Sequence, residues 1–206
     1  MQKTLFPMFV KLEGRRCLVV GAGRVAEGKI AGLLEAGAEL CVVAPQATEA
    51  VAQWAREVRI LWYAREFAPS DLEGAALVVA ATSSPAVHER IFEECRRRGI
   101  WCNVVDDPPR CDFYYPAVVR RGALQIAIST GGRSPALAQR LRKDLEVEFG
   151  PDYEAWVERL GEARDKLSSR AIGPERRRRA LHRIASRPAY ESYRRSAGAR
   201  GRKGDL

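Results

Sequence analysis

Apolar and polar positions follow two rhythms along this chain. Continuous apolar runs occur at Cys17-Leu18-Val19-Val20, Leu40-Cys41-Val42-Val43-Ala44 and Ala75 to Ala81, as expected of parallel strands covered on both faces. Arg59 to Tyr63 and Ile100 to Val105 read as two further strands. Between the strands the spacing changes to that of a helix. Ala26, Ile30, Leu33, Leu34 and Gly37 fall on one face at i, i+4, i+7, i+8 and i+11. Val51 to Glu57 and Pro85 to Arg98 are two more helices, the second opened by a proline suited to a first turn. Strands alternating with helices predict an α/β unit with a parallel sheet. Leu5 to Leu12 is an apolar lead-in expected to pack beside the first strand. From Cys111 the rhythm shifts again. Phe113 to Val119 and Leu124 to Ser129, joined through Arg120-Arg121-Gly122, form a hairpin signal. A helix capped by Ser134 and opened by Pro135 follows, stopping at Phe149-Gly150-Pro151. Helices over Tyr153 to Leu167 and from Pro174 complete the pattern, with disorder expected from Gly198 to Leu206.

The first strand runs into Gly21-Ala22-Gly23-Arg24-Val25-Ala26, a G-x-G-x-x-A turn opening a helix. That context is the one in which the motif means dinucleotide binding. Gly21 permits the tight turn, Gly23 leaves room for a pyrophosphate, and Ala26 allows close helix–strand packing. The helix N-terminus adds free N–H groups and a partial positive charge. The first domain is therefore read as Rossmann-type over residues 1–110, with Gly21, Gly23, Arg24 and Val25 on the cofactor. At the end of the second strand, where an acidic residue would grip a ribose 2′-hydroxyl, the chain has Pro45-Gln46, read as lining the adenosine side. No carboxylate there repels a 2′-phosphate and no arginine invites one. Thr82 and Ser83 end the strand before Pro85, where cofactor contact and helix capping are both open readings. The fifth strand delivers Asp106-Asp107 to the edge where ligands of open α/β sheets bind. A carboxylate of this pair is the general-base candidate there, and a turn cap by Asp106 and Asp107 before two prolines is the other reading. Thr130-Gly131-Gly132-Arg133 is a second glycine turn before a helix, hence a second anion-binding candidate.

Charge and cysteine usage narrow the class. The net charge of +9 is uneven: from Gly173 onward there are 11 Lys/Arg and 3 Asp/Glu, a net of +8, which leaves +1 for the preceding 172 residues. Five cysteines, an odd number, read as reduced thiols used as small apolar residues, which points to the cytoplasm. No apolar stretch is long enough to span a membrane, and no signal-peptide layout opens the chain. Cys95, Cys102 and Cys111 match no zinc spacing, so no metal site is expected.

Several stretches together resemble the precorrin-2 dehydrogenase family, the N-terminal module of siroheme synthases. They are Phe6-Pro7-Met8-Phe9, Gly21 to Lys29, Leu33 to Ala38, Ala80-Ala81-Thr82, Cys102 to Asp106, Phe113 with Pro116, and Ser129 to Pro135. The resemblance covers roughly residues 5–150, in family order. It implies NAD-dependent oxidation of precorrin-2 to sirohydrochlorin, with Asp106 as the key aspartate. It further implies a homodimer built on a small α+β segment, 111–149, followed by a helical C-terminal domain, 150–206, with a basic, partly disordered tail. Some members carry a modifiable serine where this chain has Thr130. On this resemblance Asn103, Arg120, Thr130, Gly131, Gly132 and Arg133 are substrate-binding candidates, and Arg110 and Arg121 join them as cations for the substrate's carboxylates. The fused methyltransferase half is expected to be absent.

Some members also insert iron. With His88 and His182 as the only histidines and no Cys/His cluster, any such activity must borrow Asp106 and the macrocycle's nitrogens, so it is expected to be weak or absent. The rival reading from another class is a non-catalytic NAD(H)-sensing module whose basic tail meets nucleic acid or an acidic partner. A nucleic-acid partner is not expected.

Overall fold

A computed structural model describes residues 4–201. The chain forms two compact units, Met1–Tyr115 and Pro116–Leu206. The boundary expected at residue 110 falls five residues before the break after Tyr115, and compactness places no break at the one expected at 149.

The first unit is a five-stranded parallel sheet in the order β3-β2-β1-β4-β5. Its strands are β1 (Arg16–Val20), β2 (Glu39–Val43), β3 (Leu61–Tyr63), β4 (Leu77–Ala80) and β5 (Trp101–Val104), connected through α1 (Arg24–Glu35), α2 (Glu49–Arg56) and α3 (Pro85–Arg98). Successive strand residues point to opposite faces, so each apolar run supplies two cores. Cys17, Val19, Leu40 and Val42 pack with Ala26, Ile30 and Leu33 of α1 on one face. Leu18, Val20, Cys41, Val43, Val78 and Val104 pack with Ile91 and Cys95 of α3 on the other. The parallel Rossmann-type sheet is as the sequence pattern implies.

One local expectation changes. The lead-in does not pack along β1: Leu5, Phe6, Met8, Phe9 and Val10 are exposed, and Leu12 alone of the apolar lead-in is buried. Four bonded strands already occupy the sheet around β1 on both sides, and residues 4–12 take no strand pairing. In addition, Val58, two residues past α2, lies in the left-handed region, φ 57°. The Val58 amide donates to Ala55 O (3.0 Å) and the Arg59 amide to Trp54 O (2.9 Å), a helix-ending pair of bonds that normally takes glycine. Val58 is 82% exposed, so little packing offsets its strain. Val58→Gly is therefore expected to stabilise the protein by about 1 kcal/mol, read as a raised thermal midpoint. An unchanged or lowered midpoint would contradict that reading.

The second unit pairs β6 (Ala117–Arg121) with β7 (Leu124–Ile128) as an antiparallel hairpin. It continues through α4 (Pro135–Glu148), α5 (Asp152–Ser168), α6 (Pro174–Ile184) and α7 (Arg187–Gly201). Arg120 and Arg121 belong to the strand, and the turn is Gly122-Ala123. Trp156 on α5 is buried and stacks near Tyr190 and Tyr193 of α7, whose Tyr190 hydroxyl donates to Asp152 (2.6 Å). Because α7 runs to Gly201, residues 198–201 are helical; the rest of the expected disordered tail, 202–206, lies outside the described residues.

Candidate functional site

In this sheet β1 connects to its neighbour β2 on one side, while β4 flanks it on the other. The carboxyl ends of β1 and β4 thus bracket the point where the winding reverses, the place an open α/β sheet receives a ligand. Register aligns Val20 with Val43 and Ala80, and Ala80 with Val104. The residues that follow each strand therefore stand along one edge, in the order Pro45-Gln46, Gly21 to Val25, Thr82-Ser83, Asp106.

The glycine turn fits a dinucleotide in two separate ways. At Gly21, with φ 109°, an added Cβ would lie 2.3 Å from Ala81 O, so the turn crosses directly over the end of β4. At Gly23 an added Cβ meets nothing within 4 Å, so the space beside that backbone is open. Gly23 caps α1 without any side-chain bond, which leaves the first-turn amides uncapped. The loop carrying exposed Pro45 and Gln46 is tied to this turn by Thr48 N donating to Ala22 O, 3.0 Å. Thr82 and Ser83 do not cap α3. Its N-cap is Ser84, which makes no side-chain cap bond, and the Thr82 hydroxyl accepts from the Ser84 amide (3.3 Å).

Asp106 sits one residue past Val105, whose amide closes on Ala80 O at 2.9 Å. It adopts the left-handed conformation, φ 62°, and is exposed. Aspartate tolerates that region better than most residues. Its setting is built by the residues after it. Asp107 N donates to Val104 O (3.2 Å), and the Arg110 guanidinium donates to Asp107 (2.5 Å) and also pairs with Glu89 on α3. The chain then folds back along β5: Asp112 N donates to Cys102 O (2.8 Å) and Cys102 N to the Asp112 carboxylate (2.9 Å).

Asn103 is tied to the loop after β5. It is 6% exposed, and its Nδ2 donates to Phe113 O (2.8 Å) and to Cys111 Sγ (3.3 Å). Cys111 Sγ in turn donates to Val104 O (3.1 Å) and Asp107 O (3.3 Å). Asn103 thus anchors the loop that presents Asp106. Arg110 is corrected as a free cation, because Asp107 and Glu89 hold it. Glu89, Cys111 and Asp112 carry no sequence signal as site residues, because their partners lie 4 to 21 positions away, a separation no periodicity reveals.

In the second unit, Arg121 is also committed. Its guanidinium donates to Phe149 O (2.8 Å) and Glu146 O (3.0 Å), satisfying carbonyls at the end of α4. Arg120 is exposed on β6. Gly131 and Gly132 take φ 62° and 79°. The Thr130 hydroxyl accepts from Ser134 N (3.0 Å), and Ser134 caps α4 by accepting from Leu137 N (3.2 Å). This helix start therefore carries a side-chain cap, in contrast with α1. Among the described residues no three His, Cys, Asp or Glu side chains gather as a metal group, and no helix is long and apolar enough to cross a membrane. All five cysteines are free thiols.

Comparison with known proteins agrees with this geometry. A family model described as "Putative NAD(P)-binding" matches residues 8–117, and one described as "Sirohaem biosynthesis protein central" matches residues 121–148. A siroheme synthase of Aeromonas hydrophila is 40% identical over 178 residues, covering 86% of this chain and 38% of its own length. One from Nitrosospira multiformis is 39% identical over 189 residues, covering 90% of this chain and 40% of its own. The chain thus spans about two fifths of the curated relatives it matches. The solved structure of SirC, a precorrin-2 dehydrogenase, superposes with a TM-score of 0.77 at 27% identity, covering 90% of this chain and 92% of that one.

Proposed function

This chain belongs to the NAD(P)-binding family whose model spans residues 8–117, and on that premise we propose that it oxidises precorrin-2 to sirohydrochlorin with NAD, as a step of siroheme formation. The observation that carries the reading is the edge itself. An uncapped glycine turn stands at the switch point, with an exposed carboxylate, Asp106, on an anchored loop two strands away. The named activity of the structural neighbour SirC supports the choice of substrate.

When bound, the nicotinamide supplies the hydride acceptor. The chain's own residues do the rest. Gly21, Gly23, Arg24 and Val25 would receive the pyrophosphate, Pro45 and Gln46 would line the adenosine side, and Thr82 and Ser83 would contact the cofactor. Asp106 takes the proton that leaves the macrocycle with the hydride, and Asn103, Arg110 and Glu89 keep its loop in place. Arg120 and the Thr130-Gly131-Gly132-Arg133 turn serve the substrate's carboxylates. A homodimer through the β6–β7 hairpin and α4 suits a two-stranded sheet, whose outer edges are otherwise left unpaired. The cell compartment proposed is the cytoplasm.

The deciding experiment follows precorrin-2 by absorbance under anaerobic conditions, with NAD and with NADP. Sirohydrochlorin formed with either cofactor upholds the dehydrogenase, and its absence with both refutes it. For the cofactor, calorimetry is expected to find NAD bound more tightly than NADP, because Pro45-Gln46 offers no cation to a 2′-phosphate. NADP bound tenfold tighter would overturn that preference.

A further inference from the structure

Lys29 lies on α1, the helix that begins at the glycine turn, and is half-buried. Its ammonium rests over the ring of Tyr115, Nζ 3.7 Å from the centroid. An aromatic face holds a cation but offers no hydrogen-bond acceptor of the strength of a carboxylate. Among the described residues Nζ makes no hydrogen bond or ion pair to a protein oxygen, so its three donors are uncommitted. Two groups on the anchored loop act on it electrostatically, the Asp106 carboxylate and the Cys111 thiol. Burial pulls the ammonium below the ordinary lysine value, and Asp106 partly restores it. A lysine ammonium is strongly hydrated, so holding it half-buried without an oxygen partner is unfavourable by itself. The placement makes sense if an anion completes it.

We propose that Lys29 is a ligand-binding residue of the Asp106 site, seating one carboxylate of the tetrapyrrole beside the carboxylate that takes its proton. The inference rests on the functional reading above and adds a residue to it. A polycarboxylate approaching Asp106 meets like-charge repulsion. The Lys29 cation offsets it, and Tyr115 fixes the cation's position without neutralising it. Lys29 and Tyr115 thereby orient the ligand over Asp106, while the uncapped end of α1 remains for the dinucleotide.

The test separates this assignment from the functional reading. The protein, its six lysines reductively methylated with 13C-formaldehyde to keep their charge, is titrated with sirohydrochlorin and separately with NAD, under anaerobic conditions. The Lys29 resonance is identified by its loss in Lys29→Met. The expected result is that this resonance moves with sirohydrochlorin. Lys29→Met should weaken sirohydrochlorin binding about tenfold or more, a charge-assisted contact being lost, while Lys29→Arg restores most of it and NAD affinity stays within twofold. Equal binding by wild type and Lys29→Met, or an unmoved resonance, overturns the role of Lys29 and leaves the dehydrogenase standing. A wild-type protein that binds no sirohydrochlorin overturns the role of Lys29, and precorrin-2 turnover alone decides the dehydrogenase.

Discussion

Asp106→Asn is expected to lower precorrin-2 turnover at least 100-fold, in line with loss of a positioned general base, while NAD affinity by calorimetry stays within twofold. The substitution isolates proton transfer. Asparagine matches aspartate in size and tolerates the left-handed backbone at φ 62°. The Asp106 side chain is exposed, and no hydrogen bond of the loop runs through it: the anchors are Asp107, Asn103, Cys111 and Asp112. Thermal stability should therefore move by no more than about 0.5 kcal/mol, as for exposed positions elsewhere. Wild-type turnover in Asp106→Asn would remove the base assignment. The same variant also tests the rival, because a module that only senses NAD(H) has no turnover for this change to remove.

How much of this was legible beforehand depended on distance along the chain. The strands announced themselves as apolar runs because both sheet faces are covered, and α1 by its four-residue spacing, because one stripe packs on the sheet. Gly21 and Gly23 were readable for the same reason: the turn, the strand and the helix are contiguous. Asp106 could be placed at the ligand edge as the residue following a strand, but not its support. Arg110 looked like a free cation because Glu89, which occupies it, is 21 positions away on α3. The part of Asn103 in holding the loop is hidden in the sequence because the carbonyl it bonds, Phe113 O, comes 10 positions later after a reversal. Arg121 looked like a turn residue because its acceptors, Glu146 and Phe149, end another helix. In each case a side chain with several donors was satisfied by a partner the fold brings in, and composition cannot show that. Val58 is a different case. The helix end was readable, but a β-branched residue in the left-handed position runs against every local preference.

The two glycines of the turn should separate when mutated, because their constraints have different origins. Gly21→Ala is expected to destabilise the protein by about 3 kcal/mol or more, lowering the thermal midpoint by roughly 6 °C or more. Its new Cβ would stand 2.3 Å from Ala81 O and 2.6 Å from Ala81 C, at a φ of 109° that a side chain seldom adopts. Neither side can yield readily. Ala81 is fixed by its amide bond to Val20 O (2.8 Å), and Gly21 by its own to Val43 O (2.9 Å), so relief would separate β1 from both neighbours. Cofactor binding should fall as a consequence of the displaced turn. Gly23→Ala should do the reverse. Its backbone, φ −84° and ψ −176°, is open to any residue, and its Cβ would meet nothing within 4 Å. Stability should hold while NAD affinity drops, since the methyl group then occupies space that a pyrophosphate needs against the backbone. Thermal unfolding beside calorimetry on the two variants distinguishes these outcomes. A Gly23→Ala protein that binds both NAD and NADP as tightly as wild type would mean the open space beside Gly23 is not the cofactor's.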